Sequence, residues 1–268
     1  IIPAGSAKQL SLDPQNAIRI FTGAAVPPGA DTVVIQEKVS VDSGELIVRD
    51  TNLTTGLNIR LRGTEIRSGE LALEKNSKLT AAACGYLAGL GISDVLVFPR
   101  PAISIIITGD ELCQPGQQLE YGQVYESNSY ALLAALKNIH INNIKVFTAK
   151  DNLKTLSEVL RQALASSDAV LLTGGVSVGD YDFVLRAAEI NGIEQIFHKI
   201  KQKPGKPFYF GKKGDQVIFG LPGNPASVLS CFYEYVLPAL GKMSNQKTDL
   251  IQLNVPSKTP LKKAAGLS

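Results

Sequence analysis

After Pro99-Arg100-Pro101 short apolar runs alternate with stretches whose apolar residues recur every three or four positions. A run of five or six apolar residues fits a strand covered on both faces, and the three-and-four repeat fits a helix with one apolar stripe. Their alternation is the pattern of βαβ units around a parallel sheet. Strands are expected at 102–107, 144–148, 169–173 and 216–219. One intervening helix is expected to be capped by Ser127 or Asn128, with Leu132, Leu133, Leu136 and Ile139 facing inward. A second is expected to start at Asp151 or Asn152 and to bury Leu153, Leu156, Val159, Leu160, Ala163 and Leu164. A third covers about 182–191 and stops at Gly192. The last has Asn224 as N-cap, Pro225 at its first position, and Val228, Phe232, Val236 and Leu240 as its stripe.

At roughly 150 residues per domain, 268 residues leave room for about two domains, so this α/β domain at 99–246 has company. Residues 1–56 carry β-type stretches at 17–21, 32–41 and 45–48 between Pro-Pro-Gly and Asp-Ser-Gly turns, and read as a small β module. Residues 57–98 read as a connector with one short helix, 81–90, capped by Thr80 and closed by Gly91. Residues 247–268 read as the start of a further β domain that continues beyond Ser268. The chain begins at Ile1 and its only methionine is Met243, so it is expected to be a multidomain fragment of a longer protein.

Several function classes are disfavoured. The 27 basic and 24 acidic groups leave a net charge of only +3, too little for a polyanion-binding surface, so nucleic acid is not an expected partner. No apolar run approaches the roughly 20 residues that cross a bilayer, and no membrane association is expected. Cys84, Cys113 and Cys231 are widely spaced and the chain has 2 histidines, which makes neither a disulfide framework nor a zinc site. Those cysteines are expected to be small core residues of a cytoplasmic protein. Tyr125 and Tyr130 are expected to pack rather than to stack on a ligand.

Any anion site must then be local, and four loops qualify. Thr173-Gly174-Gly175-Val176-Ser177-Val178-Gly179-Asp180 follows a strand and precedes a helix; its glycines admit close backbone approach, and the helix start offers free N–H groups to a phosphate. It lacks the Gly-Lys-Ser/Thr of a P-loop and the Gly-x-Gly-x-x-Gly of a dinucleotide site. Thr108-Gly109-Asp110-Glu111-Leu112 places two carboxylates at the end of another strand, with Asp151 and Asp182 expected at the same edge. Carboxylates so grouped suit a magnesium ion. In Lys203-Pro204-Gly205-Lys206-Pro207 two prolines hold two ammonium groups close together, which makes sense around an oxyanion. Leu221-Pro222-Gly223-Asn224-Pro225 also leads into a helix N-terminus, although its Asn-Pro cap explains itself without a ligand. Arg60, Arg62 and Glu65, and likewise Thr22, carry no chemistry on their own.

Together with Arg19-Ile20-Phe21-Thr22-Gly23-Ala24, Val26-Pro27-Pro28-Gly29 and Asn58-Ile59-Arg60, these motifs resemble, in order, the molybdopterin molybdenumtransferase (MoeA) family, which includes the E domain of gephyrin. The resemblance implies a MogA-like three-layer α/β domain in an L-shaped, magnesium-dependent homodimeric enzyme. It would insert molybdate into adenylylated molybdopterin and release AMP, and a contact with molybdopterin adenylyltransferase is expected. It further implies that Thr173, Gly174, Gly175, Ser177, Gly179 and Asp182 receive the pterin and its phosphate. Asp110, Glu111 and Asp151 would serve magnesium and the pyrophosphate. Lys203 and Lys206, beside Pro222 and Pro225, would hold molybdate, while Thr22 and Glu65 would come from the neighbouring subunit, Glu65 as a further metal ligand. Glu111, Asp182, Lys203 and Lys206 are the expected catalytic set. Glu65 stands where relatives often have Asp, and Asn152 follows Asp151 where some have a second Asp. An adenylyltransferase, or a non-catalytic scaffold with the same fold, is the alternative.

Overall fold

A computed structural model describes residues 1–6, 10–175, 183–246, 255–256 and 258–260. The chain divides into two compact units, Ile1–Ser93 and Asp94–Ser268.

In the first unit the regular elements are few. Strands β1 (Val39–Asp42) and β2 (Glu45–Val48) form an antiparallel hairpin. Ser43 and Gly44 both have positive φ, +50° and +86°, the backbone that a two-residue hairpin loop matched to strand twist requires. The strand expected across 32–41 is reduced to β1, because Gln36–Lys38 forms a 3₁₀ turn just before it. Of 17–21, only Ile20 pairs, in an isolated bridge with Ile2. Prolines 27 and 28 lack the N–H groups that a longer ladder would need. Helix α1 (Ala81–Gly89) is capped as expected, the Thr80 side chain accepting from Ala83 N at 3.2 Å. It buries only Leu87, so Cys84 is exposed and is not the core residue expected of it.

The second unit is built on a six-stranded sheet. Its elements in chain order are β3 (Ile103–Thr108), β4 (Leu112–Cys113), β5 (Val124–Tyr125), α2 (Asn128–Asn138), β6 (Ile144–Ala149), α3 (Leu153–Leu164), β7 (Ala169–Thr173), α4 (Phe183–Ile190), β8 (Glu194–His198), β9 (Tyr209–Lys213), β10 (Gln216–Leu221), α5 (Pro225–Cys231), a π-turn (Phe232–Val236) and α6 (Leu237–Met243). The order across the sheet is β6-β3-β7-β10-β9-β8. The first four strands are parallel, and β9 and β8 extend the sheet antiparallel. Small β4 and β5 pair with each other outside it.

Alternation along β3 feeds two cores. Ile103, Ile105 and Ile107 pack with Leu132, Leu136, Val228, Phe232 and Val236, while Ile106 packs on the opposite face with Leu156, Leu160 and Val184. Helices therefore cover both faces, the three-layer arrangement expected of the sequence. The stripe expected at Val228, Phe232, Val236 and Leu240 is fully buried. Residues spaced by four drift sideways on an α-helix of about 3.6 residues per turn. The wider π-turn, just ahead of Pro238, offsets that drift and accommodates a proline that cannot donate to the preceding turn.

The chain runs from β3 to β6 on one side and then crosses to β7 on the other, so the strand order reverses between β3 and β7. In open α/β sheets that reversal opens the ligand crevice at the carboxyl ends of the strands.

Candidate active site

Thr108, Ala149, Thr173 and Leu221 end the four parallel strands, so the loops that follow them share one sheet edge. Because β9 is antiparallel, with Tyr209 opposite Gly220, the lysine loop before it reaches that edge too. The four loops singled out in the sequence, and the Asp151 loop after β6, thus start or end at the carboxyl edge of the sheet.

At the strand-order reversal the glycine and carboxylate loops touch. A Cβ at Gly174 would lie 2.2 Å from Thr108 O, and one at Gly175 would lie 3.0 Å from Thr108 Cγ2 and 3.7 Å from Asp151 Oδ1. Both glycines have positive φ, +81° and +65°. Only glycine meets both demands there. Ser177, Gly179 and Asp182 lie outside the described residues.

Exposed Asp110 and Asp151 sit side by side, Asp151 N donating to Asp110 Oδ1 at 3.3 Å. The Glu111 carboxylate folds back over Gly109, where a Cβ would come within 2.9 Å of Oε2. Asn152 caps α3, its Oδ1 accepting from Thr155 N at 2.9 Å, and so fixes the loop that presents Asp151. Among the described residues no three His, Cys, Asp or Glu side chains are gathered as a ready metal cage. Glu65, in the first unit, is exposed and pairs with Arg60. Thr22 is exposed in a turn in which Ala24 N donates to Phe21 O at 2.9 Å.

Asn224 caps α5 as expected, its Oδ1 accepting from Ser227 N at 3.2 Å beside Pro225. Pro222 is buried beneath that turn. Lys203 and Lys206 are exposed on one short loop, with Gly205 buried between them and a cis peptide joining Lys203 to Pro204.

The sequence had no signal for Asn128 as a site residue. Neither it nor Ser127 caps α2 through a side chain; Glu126 does, accepting from Ser129 N at 2.8 Å and from Ser129 Oγ at 2.6 Å. Asn128 is thereby free to donate from Nδ2 to Gly223 O at 2.9 Å, while its Oδ1 is buried without a partner. Thr108 Oγ1 and Thr173 Oγ1, at the ends of adjacent strands, are also buried and unpartnered. Buried polar atoms are normally satisfied, and three orphans near one crevice suit a polar ligand. Tyr125 and Tyr130, expected to pack inside, are exposed; Tyr125 OH donates to Gln117 O at 2.9 Å and Tyr130 OH to Gln114 Oε1 at 3.4 Å, tying down the β4–β5 connection.

Residues 104–242 match the family described as "Probable molybdopterin binding domain", more than half of the chain. The chain belongs to that family. Residues 2–91 match the MoeA N-terminal region, domains I and II. The chain is 36% identical over 244 residues to the molybdopterin molybdenumtransferase of Haemophilus influenzae, covering 91% of this chain and 60% of that protein. It is 38% identical over 245 residues to the one from Nostoc sp., covering 90% and 56%. A crystal structure of the molybdopterin biosynthesis MoeA protein from Pyrococcus horikoshii superposes with a TM-score of 0.75 at 30% identity, covering 92% of this chain and 61% of that one. The chain thus spans less than two thirds of these relatives' length. No helix among the described residues is long and apolar enough to cross a membrane.

Proposed function

We propose that this chain is the substrate-binding portion of a molybdopterin molybdenumtransferase, which inserts molybdate into adenylylated molybdopterin and releases AMP. The convergence of the glycine, carboxylate and lysine loops on one sheet edge carries this reading. Gly174 and Gly175 let the backbone approach the pterin phosphate, with Ser177, Gly179 and Asp182 continuing that loop. Lys203 and Lys206 supply fixed positive charge for a tetrahedral dianion, beside Pro222 and Pro225. Thr108, Thr173 and Asn128 supply hydrogen bonds to the polar groups of the substrate.

Asp110, Glu111 and Asp151 offer the hard oxygen ligands that magnesium prefers and would hold the ion at this edge. When bound, magnesium neutralises the charge that develops as the pyrophosphate link breaks. Glu111, Asp182, Lys203 and Lys206 form the proposed catalytic set. From the family resemblance we carry over the homodimer, with Thr22 and Glu65 reaching the partner subunit's crevice, and a contact with molybdopterin adenylyltransferase. Three free cysteines fit a reducing cytoplasm. The match at 2–91 weighs against the adenylyltransferase alternative, whose resemblance is confined to the α/β domain. The acids and lysines retained at the edge weigh against a scaffold without chemistry.

Lys206→Ala tests the molybdate assignment. A charge-assisted contact is worth about 1.5–3 kcal/mol, so titration calorimetry on the full-length protein should give molybdate binding weakened by about tenfold or more. Unchanged affinity would remove Lys206 from the site.

A further inference from the structure

The loop from Lys199 to Phe208 has few backbone anchors of its own. Lys199 N donates to Phe208 O at 2.8 Å, and Ile200 N and Phe208 N both donate to Lys206 O at 3.0 Å. Pro204 and Pro207 have no N–H to give. Between these anchors side chains from outside the loop's tip take over. Gln202 Nε2 donates to Pro204 O at 2.9 Å, and Tyr235 OH donates to Gln202 Oε1 at 2.5 Å. Below the tip Cys231 is fully buried, and a Cβ at Gly205 would come within 2.7 Å of its Sγ and 3.0 Å of Gln202 Nε2. The Tyr235 ring packs on Phe208, centroids 4.8 Å apart, which leaves its hydroxyl little freedom to swing away. Tyr235 belongs to the π-turn, the one departure from α-helical geometry between Pro225 and Met243. Such turns recur at functional sites.

We propose that Tyr235 and Gln202 are positioning residues for the lysine pair. The tyrosine hydroxyl orients the Gln202 amide, the amide holds the Pro204 carbonyl, and the loop so fixed presents Lys203 and Lys206 to the oxyanion in one geometry. This rests on Lys203 and Lys206 being the oxyanion site. Burial raises the Tyr235 phenol above its ordinary range, so the hydroxyl stays a donor throughout the physiological pH range.

The test uses the full-length protein with three variants side by side. Tyr235→Phe keeps the ring against Phe208 and removes only the hydroxyl, Gln202→Met removes both hydrogen bonds, and Lys206→Ala removes one charge. A hydrogen bond's typical net contribution predicts that Tyr235→Phe weakens molybdate binding about fivefold and Gln202→Met, which loses two bonds, at least as much, measured by calorimetry. The KM for molybdate should rise with kcat held, and backbone amide exchange at residues 203–206 should quicken while exchange in β7 and β10 stays as it was. Lys206→Ala should lose molybdate binding without faster exchange in the loop. Intact affinity in Tyr235→Phe and Gln202→Met beside a loss in Lys206→Ala overturns the positioning role and leaves the oxyanion site standing. Intact affinity in Lys206→Ala overturns the site itself. Weakened binding with exchange quickened throughout the sheet would also overturn the proposal, since the two residues would then act on stability alone.

Discussion

Gly174 and Thr108 meet where the strand order reverses: a Cβ on Gly174 would stand 2.2 Å from the Thr108 carbonyl oxygen. No side-chain rotation relieves a clash between a Cβ and backbone, and φ at Gly174 is +81°, a conformation costly to residues with a Cβ. Gly174→Ala should therefore destabilise the α/β unit by about 2 kcal/mol or more in urea unfolding. Gly223 is the control. Its Cβ position is ordinary van der Waals distance, 3.9 Å, from Gly174 Cα, and its φ is not positive. Gly223→Ala should cost less than about 1 kcal/mol, and equal losses in the two variants would contradict the close-approach argument.

Asn152 and Leu160 separate a cap from a core on the same helix. Asn152→Ala removes the side-chain acceptor of Thr155 N and should cost about 1 kcal/mol. Leu160 is fully buried between α3 and the sheet, and Leu160→Ala should cost about 2–5 kcal/mol. Denaturant midpoints compare them directly; a larger loss at Asn152 would reverse the ranking expected of the two mechanisms.

The α/β unit was largely legible because its strands and helices carry separate periods. Apolar runs gave β3, β6, β7 and β10, and Thr80, Asn152 and Asn224 marked helix starts that their side chains do cap. Strands β8 and β9 were not anticipated. Gln195, Ile196 and Phe197 are too few to display a period, and the pairing of β8 carries a bulge between Gln195 and Phe197. In residues 1–56 alternation suggested more strand than forms, because a strand needs a partner and, among the described residues, only β1 and β2 have one in regular register. At the candidate site, the motif loops were visible as glycines, acids and lysines. Asn128, Gln202 and Tyr235 were not, because each acts through a contact with a residue distant in sequence, and nothing local announces such a pair.

Burial pushes the Cys231 thiol up to about 11 and the Tyr209 phenol up to about 12. In the unfolded chain the same groups titrate near 9 and 10. Between those values the folded state keeps protons that the unfolded state has released, so stability is full below about pH 9 and falls as pH rises toward 12. Urea midpoints taken from pH 8 to pH 11 should decline, and Cys231→Ala should flatten the first part of that decline. A midpoint that rises with pH would contradict the burial of both groups.

Molybdate-dependent AMP release is the reaction by which the proposed transferase would be known. Full-length protein is incubated with adenylylated molybdopterin and magnesium, with and without molybdate, and AMP and pterin-bound molybdenum are followed together. AMP and molybdenum-loaded pterin should form in equal amounts, only when molybdate is present, and in strongly reduced amounts in Lys206→Ala. Formation of adenylylated molybdopterin from ATP and molybdopterin, with no AMP released on adding molybdate, would contradict it.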